Sequence, residues 1–406
     1  MKDQLNLPNE HFCVLPWVSL ELGPTGSYKV CCLTNDILTN EKKEPLTVRN
    51  ATLSEISNCH SIIQLRKSFL KGEKHPTCKK CWSEEDAGRT SKRINTLDKM
   101  KHMGIANQTW TEKAKPLMFI DFKLGNICNL KCRICGSHSS STYATEELQQ
   151  IPKETRKHSF HHNVMVNGQW PRQLPNFWKE IEEISQEITY CEFTGGEPFM
   201  IQEHFNFLQT LIDRDLAKNI EIHYNTNGTQ YPDHGPAIWK HFKNVEIAFS
   251  IDAVGPRFEY QRKNAEWVAV NENIEKFKQL KQTLGNITLQ VCSTISVLNV
   301  IYLEELAAWI DEQKFDNVYW NVLHTAYYWS VASLPLSIKE IIITKLQASK
   351  VSDYHKGEFK NIVNFIKQGN SIEITDLHRA IIKMDIIRGE KLSDNHFELA
   401  EILGLQ

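Results

Sequence analysis

The stretch Cys128-Asn129-Leu130-Lys131-Cys132-Arg133-Ile134-Cys135 carries three thiols within eight residues, at the spacing CX3CX2C. Residues 117–124 directly before it are largely apolar and predict a buried strand. The thiols therefore lie on the loop that leaves a strand, and in β/α folds these loops are where catalytic groups are usually built. The stretch predicts a metal centre at the end of a strand.

Two kinds of metal centre fit three closely spaced cysteines. They can hold three irons of a cubane cluster and leave the fourth iron open to a small chelating molecule. Ordinary electron-carrier clusters use four cysteines, and the plant-type spacing CX4CX2C differs from this one. The alternative is structural zinc, which takes four ligands, and His138 could supply the fourth.

Composition limits the classes of partner. The chain has 406 residues, 41% of them hydrophobic, and a formal charge of −2, which gives no broad electrostatic case for nucleic acid or an anionic membrane. There is no apolar run of about 18 residues and no signal peptide. We therefore expect a cytoplasmic protein with no membrane or nucleic-acid partner. Its eleven cysteines, clustered in short motifs, argue for metal rather than disulfides.

A second set of cysteines lies in the first hundred residues. Residues 23–26 (Gly-Pro-Thr-Gly) predict a hairpin turn that brings Cys13 and Cys31 toward each other. Cys78 and Cys81 form a CX2C pair, which can grip one metal centre, so these four thiols make a complete ligand set. Structural zinc is one interpretation of this set, and Cys32 could replace Cys31 as a ligand.

Strands and helices alternate through the middle of the chain. Six β/α units between residues 117 and 323 predict an α/β fold, a partial (β/α)6 barrel with a parallel sheet and helices outside. We expect a small cysteine-rich α+β domain at 1–100, the barrel at 101–330 and a helical cap at 331–406. Polar residues gather where the strands end: Thr194, Asn225, Asn227, Ser250, Asp252, Thr294, Ser296, Asn321 and His324. His324, in an aromatic segment, is a candidate substrate contact.

Three motifs together resemble the radical S-adenosylmethionine (SAM) superfamily. They are the CX3CX2C loop, the turn Gly195-Gly196-Glu197-Pro198 one strand later, and Ser250-Ile251-Asp252 followed by Arg262. The resemblance implies a [4Fe-4S] cluster on Cys128, Cys132 and Cys135, whose open iron chelates the amine and carboxylate of SAM. One electron from that cluster then breaks a carbon–sulfur bond of SAM and gives a 5′-deoxyadenosyl radical.

The same resemblance implies which residues contact SAM. The turn with Gly195, Gly196 and Glu197 contacts the methionine amine, since glycines let the backbone approach a ligand closely. Ser250 and Arg262 hold the carboxylate, and Asp252 lies near the ribose. Further candidates for SAM contact are Asn227, Thr294 and Ile134, which stands where the family usually has an aromatic residue against adenine.

The N-terminal cysteines resemble the SPASM/twitch domain of that superfamily. The pattern CX12GX4C, from Cys13 through Gly26 to Cys31, precedes the later CX2C. The resemblance implies one auxiliary [4Fe-4S] cluster on Cys13, Cys31, Cys78 and Cys81. Here the domain stands before the barrel rather than after it, and no cysteines for a second auxiliary cluster follow.

The resemblance therefore implies a radical SAM enzyme that takes hydrogen from a peptide or a small polar substrate. The auxiliary cluster would accept an electron or position the substrate, and an external donor such as flavodoxin or ferredoxin would supply electrons. The alternative is a non-catalytic scaffold protein with two zinc sites.

Overall fold

The structure is a computed structural model that describes residues 6–34, 36–102, 109–324 and 327–406. The described residues divide into two compact units. Unit 1 is formed from the ranges 1–128, 137–224 and 232–245, and unit 2 from 129–136, 225–231 and 246–406.

Eight strands make one sheet, in the order β2-β1-β3-β4-β5-β6-β7-β8. The pairs β1–β3, β3–β4, β4–β5 and β7–β8 are parallel, whereas β1 and β2 form an antiparallel hairpin. The strands are β1 (Ser19–Leu22), β2 (Tyr28–Lys29), β3 (Phe119–Lys123), β4 (Tyr190–Thr194), β5 (Glu221–Thr226), β6 (Asn244–Phe249), β7 (Ile287–Ile295) and β8 (Asn317–Val322).

Unit 1 carries the helices that cover its strands and hold the N-terminal cysteines. Local sequence sets several boundaries: Thr52 and Glu55 form a capping box at α2, and Ser140 caps α6 through its side chain. The helices are α1 (Leu15–Val18), α2 (Leu53–Ser57), α3 (His60–Leu70), α4 (Lys79–Asp86), α5 (Lys92–His102), α6 (Ser141–Gln149), α7 (Phe160–Asn167), α8 (Trp170–Gln173), α9 (Pro175–Glu183), α10 (Gln202–Asp213) and α11 (Gly235–Trp239).

Unit 2 carries the remaining helices, including the predicted C-terminal helical segment. Gly285 and Gly389 end α13 and α17 with positive φ, a conformation that suits glycine. The helices are α12 (Pro256–Gln261), α13 (Trp267–Leu284), α14 (Leu303–Gln313), α15 (Leu336–Ala348), α16 (Asp353–Gln368), α17 (Thr375–Arg388), α18 (Leu392–Asn395) and α19 (Phe397–Leu403). No helix among the described residues is long and apolar enough to cross a membrane.

The predicted fold class is confirmed, with one addition. The six predicted β/α strands are β3 to β8, but the sheet has eight strands because the N-terminal hairpin joins it. Ser19 to Leu22 pair with Phe119 to Phe122 in parallel, so the hairpin extends the sheet beside β3. The predicted division into three domains stays a prediction.

The helical spacing of residues 56–70 and the charge-rich residues 83–103 predict two continuous helices, and both are interrupted. Residues 56–70 contain a break at Asn58 and Cys59, where α2 ends and α3 begins. Residues 83–103 contain the end of α4 and all of α5, separated around Gly88, which has positive φ. Met103, part of the predicted loop 107–115, and residues 325 and 326 of the aromatic segment lie outside the described residues.

Candidate metal and cofactor site

The double-glycine turn of unit 1 packs directly on the backbone that leads into Cys128. A Cβ on Gly196 would come within 2.0 Å of the Ile127 carbonyl oxygen, and one on Gly195 within 2.7 Å of the Leu124 nitrogen. Gly195 also has a φ of +116°, which L side chains rarely adopt. Only glycine fits at either position, and the turn therefore fixes the chain just before the first thiol.

Glu197 is held in one orientation by the same turn. Its backbone N–H donates to the Ile127 carbonyl at 2.7 Å, and its fully buried side chain accepts from the Phe199 N–H at 3.2 Å. A carboxylate fixed in this way loses little conformational freedom when a ligand binds.

Cys128 is buried in unit 1, at the start of the loop. Its N–H donates to the Ser141 hydroxyl at 3.3 Å, and its carbonyl accepts from the Thr142 hydroxyl at 2.5 Å. Both partners lie in the first turn of α6, so this helix determines the orientation of the residue that bears the thiol.

Cys132 and Arg262 lie together in unit 2. The Arg262 Nη1 is 3.8 Å from the Cys132 sulfur, and its Nη2 is 2.7 Å from the Asp252 carboxylate. A hydrogen bond from Cys135 lowers the pKa of Cys132 to about 7 against the opposing effect of burial, and the charges of Arg262 and Arg388 add to this lowering. Because thiolate is the form that ligates metal, this environment favours Cys132 as a ligand.

Asp252 links Arg262 to strand β7, which contains Thr294. Its second oxygen accepts from the Thr294 N–H at 2.7 Å, and the Asn299 side chain donates to the backbone carbonyls of both Asp252 and Thr294. Asp252 is only 2% exposed, and a buried charge needs partners. Arg262 and the Thr294 N–H compensate it. The Ser250 N–H donates to the Thr226 carbonyl at 2.8 Å, which fixes the strand end.

Asn227 reaches the cysteine loop within unit 2. Its side-chain nitrogen donates to the Asn129 side-chain oxygen at 3.0 Å, and its own oxygen accepts from Thr229. Ile134 is half-buried and Cys135 is exposed. His138, the candidate fourth zinc ligand, is exposed in unit 1, where its ring lies edge-on against Phe160.

The four N-terminal cysteines line one pocket in unit 1. Besides Cys13, Cys31, Cys78 and Cys81, its walls are Leu15, Pro16, Val30, Thr34, Phe69 and Arg93. Burial raises the pKa of all four thiols, that of Cys81 to about 11, and neighbouring cysteines add to this effect at Cys13, Cys78 and Cys81. The predicted set is thus assembled, and a metal group would have to displace the thiol protons.

Backbone donors point at these sulfurs. N–H groups of Leu15, Thr34 and Arg93 are among those that hydrogen-bond to Cys13, Cys31 and Cys81 and act to lower their pKa values. The Arg93 guanidinium donates to the carbonyls of Glu10 and Phe12, which holds the chain just before Cys13. Hydrogen bonds to sulfur are one of the means by which proteins tune iron–sulfur clusters.

Cys32 lies apart from this pocket, within a group of charged residues that the sequence analysis missed. Its sulfur lies within 4.8 Å of carboxylate oxygens of Asp121 and Glu192. The Lys92 ammonium is 2.7 Å from Glu192 and 3.6 Å from Asp121. Burial, with the charge of Glu192 next in effect, raises the pKa of Asp121 to about 7.

These acids belong to a row across four neighbouring strands, which we call the charged row: Glu21, Asp121, Glu192 and His223. Lys123, two residues along β3, is 2.6 Å from Glu21. The only sequence signal was the polar residues inside otherwise apolar strands. These residues lie side by side because of the strand register, which could not be predicted from the sequence.

His324 packs edge-on against Phe365 and stays a candidate substrate contact.

Several solved structures are similar to part of this chain, at low identity and with TM-scores below 0.5. The structure of native anSMEcpe with bound AdoMet is 17% identical, with 68% of this chain and 67% of that chain covered and a TM-score of 0.37. The structure of anSMEcpe with AdoMet and Cp18Cys peptide is 15% identical, with the same coverage and TM-score. Streptococcus suis SuiB bound to S-adenosylmethionine is 14% identical, covering 87% of this chain and 67% of that chain, with a TM-score of 0.33.

No curated protein matches the chain significantly. Residues 122–312 match the family model of the radical SAM superfamily, and this range contains the cysteine loop, the double-glycine turn, Asp252 and Arg262. This range of the chain is therefore similar to the radical SAM superfamily.

Proposed function

We propose that the chain binds SAM at a [4Fe-4S] cluster ligated by Cys128, Cys132 and Cys135, and takes a hydrogen atom from a peptide or a small polar substrate. One observation carries the proposal. Inside the matched domain, the double-glycine turn packs on the backbone directly before the three-thiol loop, with no room for any side chain. That arrangement is what a backbone needs to approach a ligand beside a metal centre.

The thiols and their surroundings fit such a cluster. The lowered pKa of Cys132 favours the ligating thiolate, and Arg262 provides positive charge beside an anionic centre. When bound, the cluster and SAM supply the reductive cleavage that generates a 5′-deoxyadenosyl radical.

The chain's own residues bind and orient the cofactor. Gly195 and Gly196 give close backbone approach to the methionine amine, and Glu197 adds a negative charge of fixed orientation. Arg262 offers a guanidinium to the carboxylate of SAM, with Ser250 beside it, and Asp252 keeps that guanidinium oriented. Asn227, Ile134 and Thr294 are proposed contacts to the adenosine part of SAM.

We further propose one auxiliary [4Fe-4S] cluster on Cys13, Cys31, Cys78 and Cys81. The shared pocket and the backbone N–H donors to its sulfurs support a metal centre on these four thiols, and the resemblance to the SPASM/twitch domain favours a cubane over zinc. Cys31 lines the pocket while Cys32 faces the charged row, so Cys31 is the proposed ligand. This cluster would accept the product electron or position the substrate, and an external flavodoxin or ferredoxin would reduce the SAM cluster.

The charged row supports a polar substrate. Barrel interiors are ordinarily filled with bulky apolar residues. Here β1, β3, β4 and β5 instead carry a row of Glu21, Asp121, Glu192 and His223 on one face. Burying a charge costs free energy unless an opposite charge or hydrogen bonds compensate it. The residues of the charged row would provide such compensation for a charged group of the substrate.

Anaerobic reconstitution with iron and sulfide tests the proposal. The protein should turn brown with about eight irons per chain, the content of two cubanes. With SAM and a strong reductant it should release 5′-deoxyadenosine. A colourless protein that binds two zinc ions and leaves SAM intact would contradict the proposal and favour the zinc scaffold. Mass spectrometry of the reaction with cell extract would then identify the substrate.

A further inference from the structure

A fully buried cation lies inside the cysteine loop itself. Arg133, between Cys132 and Ile134, has no exposed surface. Moving a charge out of water is expensive unless that charge is paired and hydrogen-bonded. The groups that compensate Arg133 therefore also determine where the loop can lie.

Two carboxylates from the C-terminal segment meet this guanidinium. The Arg133 Nη2 lies 2.6 Å from the Asp385 carboxylate and 2.6 Å from the Glu390 carboxylate. Tyr260 completes the set: its carbonyl accepts from the Arg133 Nε at 3.0 Å, and its ring centre lies 3.6 Å from the guanidinium carbon. The Tyr260 hydroxyl donates in turn to Asp385 at 2.9 Å.

The end of α17 presents these carboxylates in a fixed geometry. The helix ends at Arg388, and Gly389, with a φ of +62°, reverses the chain so that the Glu390 N–H returns to the Asp385 carbonyl at 3.0 Å. The Leu392 N–H donates to the second oxygen of Asp385 at 2.9 Å. Both acids are thus oriented before they meet the arginine.

The backbone of the loop is tied to the same region of unit 2. The Lys131 N–H donates to the Lys263 carbonyl at 3.1 Å, and the Arg133 N–H donates to the Gln261 carbonyl at 2.8 Å. The Lys263 ammonium is 2.7 Å from Glu390. Arg262, which touches Cys132, lies between these two anchors, so displacement of the loop would also change the Arg262–Cys132 contact.

We propose that Asp385 and Glu390 are positioning residues that hold the loop of Cys132 and Cys135 in the geometry for ligating the cluster. The inference rests on the proposed function and adds to it a task for the C-terminal segment. The two acids act through Arg133, and neither is among the residues proposed to ligate the cluster or to bind SAM. Without them, Arg133 would be a buried charge with too few partners, and the loop would move to bring it to water.

The test compares the full reconstituted chain with the double variant Asp385→Asn, Glu390→Gln. Hydrogen exchange of peptides covering 129–136 should become about ten-fold faster or more, since hydrogen bonds to a charged group are lost. The KM for SAM should rise about ten-fold. The iron of the auxiliary cluster should be retained. Restoring one carboxylate, in the single variant Glu390→Gln, should bring both values back toward the wild type.

Glu398→Gln is the matched control, because it removes a C-terminal carboxylate that pairs with Lys345 instead of Arg133. It should leave exchange of 129–136 unchanged. The proposal is overturned if the double variant loosens residues 376–403 alone, or if the control accelerates exchange of the loop equally. Should the double variant not fold, Glu390→Gln alone must accelerate exchange in 129–136 or the proposal fails. A wild type that neither binds SAM nor forms a cluster would refute the proposed function, while the exchange data would still show whether Asp385 and Glu390 hold the loop through Arg133.

Discussion

The two cysteine sets of this chain are held in opposite environments. Cys13, Cys31, Cys78 and Cys81 line a largely apolar pocket within unit 1, where burial raises the pKa of each thiol. In unit 2, Cys132 lies 3.8 Å from Arg262 and its pKa is lowered to about 7, while Cys135 is exposed.

The difference fits the proposed roles of a closed centre and an open one. Four thiols in an apolar pocket satisfy every iron of a cubane and suit a group that exchanges only electrons. A buried guanidinium beside Cys132 suits a centre that also takes an anionic ligand. The positively charged groups are placed at the three-thiol loop, where a carboxylate is expected to bind.

The largest effect on this comparison is expected when the neighbouring cysteines Cys31 and Cys32 are each substituted by alanine. Cys31→Ala should lose about half of the iron because the auxiliary pocket loses a ligand. Cys32→Ala is the matched control and should keep all of it, since this sulfur faces Asp121 and Glu192. Iron analysis of both reconstituted variants decides the question. Loss of iron in Cys32→Ala alone would mean that the wrong neighbour has been assigned.

Gly196→Ala tests the turn that packs before the open centre. The added Cβ would meet the Ile127 carbonyl at 2.0 Å, so the variant should lose about 1–3 kcal/mol of unfolding free energy and bind SAM poorly. Gly357→Ala, with no atom within 4 Å of the added Cβ, is the control and should be neutral or slightly stabilising. Chemical denaturation and SAM titration measure the two effects. Normal SAM affinity in Gly196→Ala would contradict the assigned role.

Arg262→Gln tests the cation beside Cys132. We expect the KM for SAM to rise about ten- to one-hundred-fold, the effect of losing a hydrogen bond to a charged group. The substitution also leaves Asp252 buried without its partner, which by itself destabilises the fold. The double variant Arg262→Gln, Asp252→Asn removes both charges and should recover stability without recovering the KM. Recovery of both would assign Arg262 a structural role only.

Asp121→Asn tests the charged row through pH. The raised pKa of about 7 means that folding favours the protonated acid, so wild-type stability falls as pH rises toward 7. Relative to the wild type, the asparagine variant should therefore gain about 1 kcal/mol between pH 6 and pH 8. Denaturation curves at both pH values measure this change. A constant difference between the two proteins would mean that Asp121 is ionised throughout.

The barrel could be predicted from the sequence because each of its units is local. The alternation of apolar strands and amphipathic helices placed β3 to β8 within a few residues of their observed bounds. The addition of β1 to the sheet could not be predicted, because a four-residue strand pairs with residues about a hundred positions later. The break at Asn58 and Cys59 was missed because apolar periodicity continues across it.

Some features of the candidate site could likewise be predicted from the sequence, and others could not. The cysteine loop, the double-glycine turn and the four-cysteine set are sequence motifs, and their ligand roles remain predictions. The orientation of Cys31 relative to Cys32 required the structure, since adjacent thiols point in different directions. The partners of Arg133 lie some 250 residues later in the sequence, so no local sequence pattern predicts them.

The most direct test is the triple variant Cys128→Ala, Cys132→Ala, Cys135→Ala, reconstituted anaerobically beside the wild type. Iron content and 5′-deoxyadenosine release from SAM are measured on both proteins under the same reductant. We predict that the variant keeps about half of the iron, held in the N-terminal pocket, and releases no 5′-deoxyadenosine. Continued release of 5′-deoxyadenosine by the variant would contradict the assignment of the open centre to this loop.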